Sequence, residues 1–437
     1  MTSYVPNPAP VREEMLRQMG LDSVDALFAD IPSSLRIAGL DLPRGMSELE
    51  LQRHLTRLAR KNLTVADYPT FLGAGAYDHY IPVAVDQLLL RSEFYTAYTP
   101  YQAEISQGIL QSIYEYQSMI CTLTDMDVSN ASVYDGATAL AEACNVAAAA
   151  TRRQKLIVPE TLHPAYRRVL ETYARSGNYS VQVQACPNGQ IDETLIETID
   201  RDTAAVVVQY PNFYGVVEQN VPAIADAVHA QKGLLIMVVD PIALGLLTSP
   251  GELGADLVVG EGQALGMPLS FGGPYLGFLA STDKLMRRIP GRLVGETVDA
   301  AGERAFVLTL QAREQHIRRE RASSNICSNQ ALNALAATIY LTLVGPRGLQ
   351  EIALRSHQLA VYAQQELARV GVKLKYEQPF FKEFAVTLAD PADANRRLLE
   401  KGIIGGYELA DGMLLAFTEK RTRDEIDRLV NVLGGKM

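Results

Sequence analysis

The chain has 437 residues, more than one hydrophobic core usually serves, so two or more domains are expected. Hydrophobic residues make up 48% and charged residues 21%, a globular balance that argues against long disordered segments. A formal charge of −10 gives no general basis for binding nucleic acid or an anionic membrane, and no apolar run approaches the roughly 20 residues of a membrane span.

The opening MTSYVPNPAP has neither the basic region nor the apolar core of a signal peptide. Four cysteines (Cys121, Cys144, Cys186 and Cys327) are scattered without CxxC spacing. Reduced thiols in a cytoplasmic protein without a metal site are therefore expected.

Residues 1–65 read as a helical arm. Gly20 can end a helix over VREEMLRQMG, Ser23 starts a short second one, and Ser47 with Glu50 forms a capping box ahead of Leu51, Leu55 and Leu58. Such an arm packs either on a neighbouring chain or as a lid on its own domain. Residues 68–108 are loop-like, with Tyr68, Tyr77, Tyr80, Tyr95, Tyr98 and Tyr101 interleaved with Pro and Gly. Large flat side chains with free hydroxyls suit an interface or a substrate site, and equally an irregular packed surface.

A helix follows over 108–123, and then Gly136-Ala137-Thr138 ahead of an Ala-rich helix. A small-residue turn entering a helix offers free N–H groups and the positive dipole end to a phosphate. Close helix–sheet packing explains the alanines without any ligand. Strands are expected over 155–159, 180–184, 204–209, 234–239, 255–259 and 275–280, with a helix over 222–231. Strands alternating with helices over 130–280 make a mainly parallel sheet and an α/β fold. His163, Asn212 and Asp240 then fall in loops at the carboxyl ends of strands, where open sheets of this kind bind ligands. The run at 234–239 is wholly apolar, as in a central strand covered on both faces, and stops at Asp240-Pro241.

Arg318, Arg319, Glu320 and Arg321 form a dense charge cluster, read as a solvated helix end or as anion or subunit contacts. Beyond Asn329 the expected elements are a long helix, a helix over 347–370, strands near 373–376 and 383–388, a helix over 391–402, a strand over 413–417 and a last helix capped by Thr422 and Glu425. The resulting division is an arm over 1–65, a large α/β domain over 66–325 and a small α+β domain over 326–437.

An Asp closing one strand and a Gly-rich turn after the next resemble the heart of a fold-type I (aspartate aminotransferase-like) pyridoxal-phosphate enzyme, in which that Asp pairs with the pyridinium nitrogen and a later Lys forms the Schiff base. The stretches GADLVVGEGQALGMPLSFGGP, FLGAGAYDHYIP, YTAYTPYQAEISQGILQSIYEYQSMI and RASSNICSNQ resemble the P-protein family of the glycine cleavage system, and the resemblance spans nearly the whole chain. Catalytic members carry a His-Lys pair in this turn. By spacing from Gly254-Ala255-Asp256 the pair corresponds to Gln263 and Ala264, with Ala264 at the lysine position, or Gln263 if the match shifts by one. No lysine occurs between Lys232 and Lys284, so a Schiff base at this place is chemically excluded.

The resemblance implies the lysine-free subunit of the split, two-subunit form of the family. With its catalytic partner such a subunit decarboxylates glycine and passes the aminomethyl group to the lipoyl arm of H-protein, as an obligate heterodimer paired into a heterotetramer. Pyridoxal phosphate is then held covalently by the partner. In this chain Gly136, Ala137, Thr138, His163, Asn212 and Asp240 form a vestigial pocket, with His163 where a ring would stack and Asn212 facing the ring hydroxyl. A helix cap or core position is the plainer reading of His163. Residues offered to the partner's site are Tyr95, Tyr98, Tyr101, Gln102, Glu104 and Ser106, while Asp240 and His163 are expected to matter less. The alternatives are a purely structural partner, and a self-sufficient enzyme of another chemistry on the same fold. A hydrolase finds no support, since HExxH, GxSxG and a close Cys–His pair are all lacking.

Overall fold

The computed structural model describes residues 6–37, 39–177, 179–322 and 324–435. The chain divides into two units, residues 1–63 and 64–437. The first contains α1 (Ala9–Gln18) and α2 (Glu48–Ala59). Ser47 and Glu50 close the expected capping box at the start of α2, each side chain bonded to the other residue's backbone N–H.

The second unit begins with an irregular stretch interrupted by α3 (Val83–Leu89) and the single turn α4 (Ser92–Tyr95), so the tyrosine-rich segment is less loop-like than its Pro and Gly content implies. Then come α5 (Gln107–Thr124), β1 (Val128–Ser129), α6 (Gly136–Thr151), β2 (Lys155–Pro159), α7 (Pro164–Ser176), β3 (Ser180–Gln184) and α8 (Glu193–Glu197). They are followed by β4 (Thr203–Tyr210), α9 (Val221–Ala230), β5 (Leu234–Val239), β6 (Leu257–Glu261) and β7 (Gly277–Ser281). The sheet order is β1-β7-β6-β5-β4-β2-β3, with β6, β5, β4, β2 and β3 parallel and β7 antiparallel to its neighbours β6 and β1. The α/β, mainly parallel reading holds.

Side chains alternate across a pleated strand, and β4 and β5 lie deep enough to bury both faces. Val206, Val208, Leu235, Met237 and Val239 enter one core, and Ala205, Val207, Ile236 and Val238 enter the other. On the second face α6 lies directly against the strands, its Ala139, Ala141, Ala143 and Ala147 completely buried. These small side chains let helix and sheet approach closely, which accounts for the alanines of α6 without a ligand.

A hairpin, β8 (Leu293–Val298) and β9 (Arg304–Thr309), was not expected from the sequence. Its turn is held by Asp299 Oδ1, which accepts from the Ala301 and Glu303 N–H groups. After the exposed turn α10 (Gln315–Arg318) and the equally exposed Arg319–Arg321, α11 (Ala331–Arg369) is broken at Gly345 (φ 59°, ψ −178°) just before Pro346. The chain finishes with β10 (Glu383–Thr387), α12 (Pro391–Glu400), β11 (Tyr407–Leu409), β12 (Gly412–Ala416) and α13 (Arg423–Leu433). The three strands form a small antiparallel sheet, order β10-β12-β11. The strand expected over 373–376 is instead a single bridge, Leu374 to Val386. Among the described residues no helix is long and apolar enough to cross a membrane.

Candidate functional site

The register of β5 against β6 brings the site together. Val239 lies opposite Gly260, so Asp240 and Glu261, one step further, stand level at the carboxyl ends of neighbouring strands. The sequence ends β6 at 259. The observed strand runs to Glu261 and delivers a carboxylate to the crevice that the sequence reading missed. A pocket opens there, lined by His163, Asn212, Asp240 and Ala264 among the expected residues, together with Glu261, Tyr77, Lys382 and Glu383.

Gly136, Ala137 and Thr138 form the first turn of α6 itself, not a loop ahead of it. The Asp135 side chain caps the helix by accepting from Thr138 N–H at 2.7 Å, and Glu261 Oε2 accepts from Gly136 N–H at 3.0 Å. Glu261 also accepts from the Gln263 and Leu276 N–H groups. Two carboxyl groups of this chain thus occupy the helix N-terminus and take N–H groups that a phosphate would need.

Asp240 is engaged as well. Its Oδ2 lies 2.7 Å from Lys382 Nζ, with the lysine side chain 1% exposed. Lys382 Nζ also donates to His79 Nε2 at 2.9 Å and sits 3.7 Å over the centre of the Tyr77 ring. His79 Nδ1 is 2.6 Å from Glu419 Oε2, and Glu419 Oε1 accepts from Tyr80 N–H. Burial, and then the Lys382 charge, lower the His79 pKa. Burial pushes Glu419 up, but the His79 and Tyr80 hydrogen bonds outweigh it and leave its pKa below the ordinary value. One proton arrangement satisfies the chain: ammonium on Lys382, neutral His79 protonated at Nδ1, and ionised Glu419. Removing one partner of a buried ion pair typically costs roughly 3–5 kcal/mol, because the other charge stays buried and uncompensated.

The remaining pocket groups are committed too. Asn212 uses its full hydrogen-bonding capacity inside its own neighbourhood: Oδ1 accepts from the Tyr214 and Val216 N–H groups, and Nδ2 donates to Gly189 O and Glu218 Oε1. The expectation that Asn212 faces a ring hydroxyl is therefore corrected. His163 caps α7 through Nδ1, which accepts from Ala165 N–H, while Nε2 donates to Ala74 O at 2.8 Å. Its capping role stands, and burial lowers its pKa, in keeping with a neutral ring. Gly75 crosses the His163 ring so closely (φ +99°) that an added Cβ would lie 3.1 Å from Nε2. Ala264 offers no functional group, and Gln263 clamps the backbone of Tyr77, accepting from its N–H and donating to its C=O.

The residual cavity is about 50 Å³, against roughly 300–1,000 Å³ for ordinary small-molecule sites. With no lysine at 263 or 264, carboxylates in the helix cradle, Lys382 on Asp240 and no spare hydrogen bond on Asn212, these residues do not fit pyridoxal phosphate. Among the described residues no group of His, Cys, Asp or Glu is placed to hold a metal ion.

The residues expected to meet a partner's substrate lie elsewhere. Tyr98 and Tyr101 are exposed, at 83% and 72%, with ring centroids 6.3 Å apart. Tyr95, Gln102 and Glu104 are exposed, Ser106 is half-buried and Pro100 is buried. Downstream, Gln107 anchors the segment to β9 by exchanging hydrogen bonds with the Phe306 backbone.

Burial also sets a pH dependence. Glu142, Glu218, Glu261 and Glu383 are each pushed up from 4.5 to about 7, with burial the largest cause. Each holds its proton more tightly folded than unfolded. Their contribution to stability is therefore complete below about 4.5 and lost as pH rises through about 7, at up to about 1.4 kcal/mol per pH unit per group. The Tm is expected to fall between about pH 4.5 and pH 7 and to level off above that, and Glu218→Gln to flatten the fall. A variant that declines as steeply as the parent would refute the assignment.

Comparison with known proteins gives the family. The chain is 62% identical over 435 residues to the probable glycine dehydrogenase (decarboxylating) subunit 1 of Syntrophomonas wolfei, and 55% identical over 441 residues to the protein of that name from Carboxydothermus hydrogenoformans, each match covering 99% of both chains. A crystal structure of glycine decarboxylase (P-protein) of the glycine cleavage system, in inhibitor-bound form, superposes with a TM-score of 0.92 at 41% identity over the full length of both chains. The sphingosine-1-phosphate lyase of Burkholderia pseudomallei, at 16% identity and a TM-score of 0.66 over 92% of this chain and 94% of that one, shares the fold alone, which is that of fold-type I pyridoxal-phosphate enzymes. The family model for the glycine cleavage system P-protein matches residues 2–433, and the chain belongs to that family.

Proposed function

We propose that this chain is the lysine-free subunit of a split glycine dehydrogenase (decarboxylating), active only with a second subunit that carries pyridoxal phosphate. The observation that carries the reading is the filled pocket: Lys382 sits on Asp240 and Glu261 on the Gly136 amide, in a chain whose relatives are named subunit 1. The alternative of a self-sufficient enzyme finds no usable site here. When bound to the partner, the cofactor supplies the electron sink for loss of carbon dioxide from glycine. The aminomethyl group then passes to the lipoyl arm of H-protein, in a cytoplasmic assembly of two heterodimers.

This chain's part is to complete the partner's site. Tyr95, Tyr98, Tyr101, Gln102, Glu104 and Ser106 supply phenol, amide, carboxyl and hydroxyl groups able to fix a small carboxylate and exclude water. Glu104 orients a tyrosine or accepts a proton. Exposure of Tyr95, Tyr98, Tyr101 and Ile105 within one stretch supports a surface made for burial against another chain. Obligate interfaces of this kind bury roughly 2,000 Å² or more.

The test is reconstitution. Alone, the chain is expected to release no carbon dioxide from carboxyl-labelled glycine in the presence of lipoylated H-protein and pyridoxal phosphate. Mixed with the lysine-bearing subunit, it should co-sediment and restore release. Activity of the isolated chain, or a stable monomer that ignores that subunit, would overturn the proposal.

A further inference from the structure

The pocket that the fold reserves for a cofactor is taken up by side chains of this chain. It holds two ionisable side chains at the two places where a pyridoxal phosphate would be gripped. The Lys382 ammonium stands on Asp240, the carboxylate that would face a pyridinium, and the Glu261 carboxyl stands on the α6 amide that would face a phosphate. Lys382 comes from the residue just before β10, so the occupant is delivered by the small antiparallel sheet to the end of the large one. Its neighbour Glu383 accepts from Ala74 N–H at 2.7 Å and from the Tyr77 hydroxyl at 2.8 Å.

Residues 74–80 are tied to this filling almost residue by residue. Ala74 is held between His163 and Glu383, and Tyr77 between Gln263, Glu383 and the Lys382 ammonium. Asp78 takes Lys420 and Arg421, and His79 bridges Lys382 and Glu419. Three residues after Tyr80, α3 begins, and α4 then ends at Tyr95, the first of the tyrosines offered to the partner. The segment 95–106 is thus fixed upstream through this network and downstream through Gln107 on β9.

We propose that Lys382 and Glu261 are permanent internal occupants of the former cofactor pocket, and that the pocket so filled is the anchor that positions residues 74–80 and, through them, the Tyr95–Ser106 segment offered to the partner's site. The second half rests on the reading of that segment given above. Lys382, Asp240 and His79 are then positioning residues, and Asp240 matters for a reason different from its role in cofactor-binding relatives of the fold.

The experiment is a double-variant cycle in the reconstituted enzyme: Lys382→Met, Asp240→Asn and the two combined. Each single change strands one buried charge, whereas the pair removes both and leaves groups of similar size. Each single variant should speed amide hydrogen exchange over residues 74–80 by at least about tenfold, equivalent to about 1.4 kcal/mol of local opening, and lower kcat at saturating partner subunit. The combined variant should recover most of both losses. Tyr77→Phe, which keeps the ring and loses only the bond to Glu383, gives a milder version of the same two effects should the charge variants fail to fold. Unchanged exchange in the single variants, or losses that add in the combined one, would overturn the anchor. Faster exchange with an unchanged kcat would uphold the anchor and overturn the role assigned to the Tyr95–Ser106 segment, so the two failures are distinguishable.

Discussion

Borohydride reduction of the assembled enzyme is expected to fix pyridoxal phosphate to the partner subunit in stoichiometric amount and to leave no phosphopyridoxyl-lysine on this chain. Two independent facts require it. The interval between Lys232 and Lys284, which contains the turn after β6, offers no amine at all. The lysine that does line the pocket, Lys382, has its Nζ on Asp240 and His79, beside a cavity of about 50 Å³ that cannot admit a substituted pyridine. Binding there would need Lys382 to leave Asp240, and Glu261 to leave three backbone N–H groups. Peptide mapping after reduction reads the outcome directly, whatever the activity of the preparation. A stoichiometric adduct at Lys382 would show that the filled pocket opens, and an adduct on another lysine of this chain would show that the site has been misplaced.

The fold was legible because its central strands carry a signal that no other element imitates. Residues 234–239 are wholly apolar, strand-length and closed by Asp-Pro, and the observed β5 has those bounds. The capping boxes at Ser47 and Thr422 were equally readable, being local chemistry in which four residues determine the outcome. The hairpin β8–β9 was hidden because Arg304–Thr309 (RAFVLT) has no period-two alternation, leaving only Asp299 and Gly302 (φ +85°) to mark its turn. The site divided differently. The missing lysine could be seen in the sequence, since an absent residue type needs no geometry. What replaced the cofactor could not. Lys382 lies more than a hundred residues beyond Asp240, and only the packing of the small sheet against the large one brings the two together. Glu261 was hidden by a strand end placed two residues early, and His79 and Glu419 by their distance in sequence.

Tyr98→Phe and Glu104→Gln are each expected to lower turnover of the reconstituted enzyme by at least about tenfold, or about 1.4 kcal/mol of barrier, without loss of assembly. The separation of effects follows from exposure. Tyr98 is 83% exposed and Glu104 is exposed, so neither hydroxyl nor carboxylate contributes much to the stability of this chain, and surface changes of this size usually alter stability by less than about 0.5 kcal/mol. A large loss of turnover must then arise where these groups meet something outside the chain. The two phenols flank the buried Pro100 in sequence, and their rings form a tilted pair 6.3 Å apart. A phenol can donate to the glycine carboxylate, and a neighbouring carboxylate can orient that phenol, so the phenylalanine and glutamine variants each remove one link while keeping the shape. Sedimentation of each variant with the lysine-bearing subunit confirms that the complex still forms, and kcat and KM for glycine are then read on that complex. Full turnover in both variants, in a complex that sediments as the parent does, would leave this chain a structural partner and remove its exposed tyrosines from the reaction.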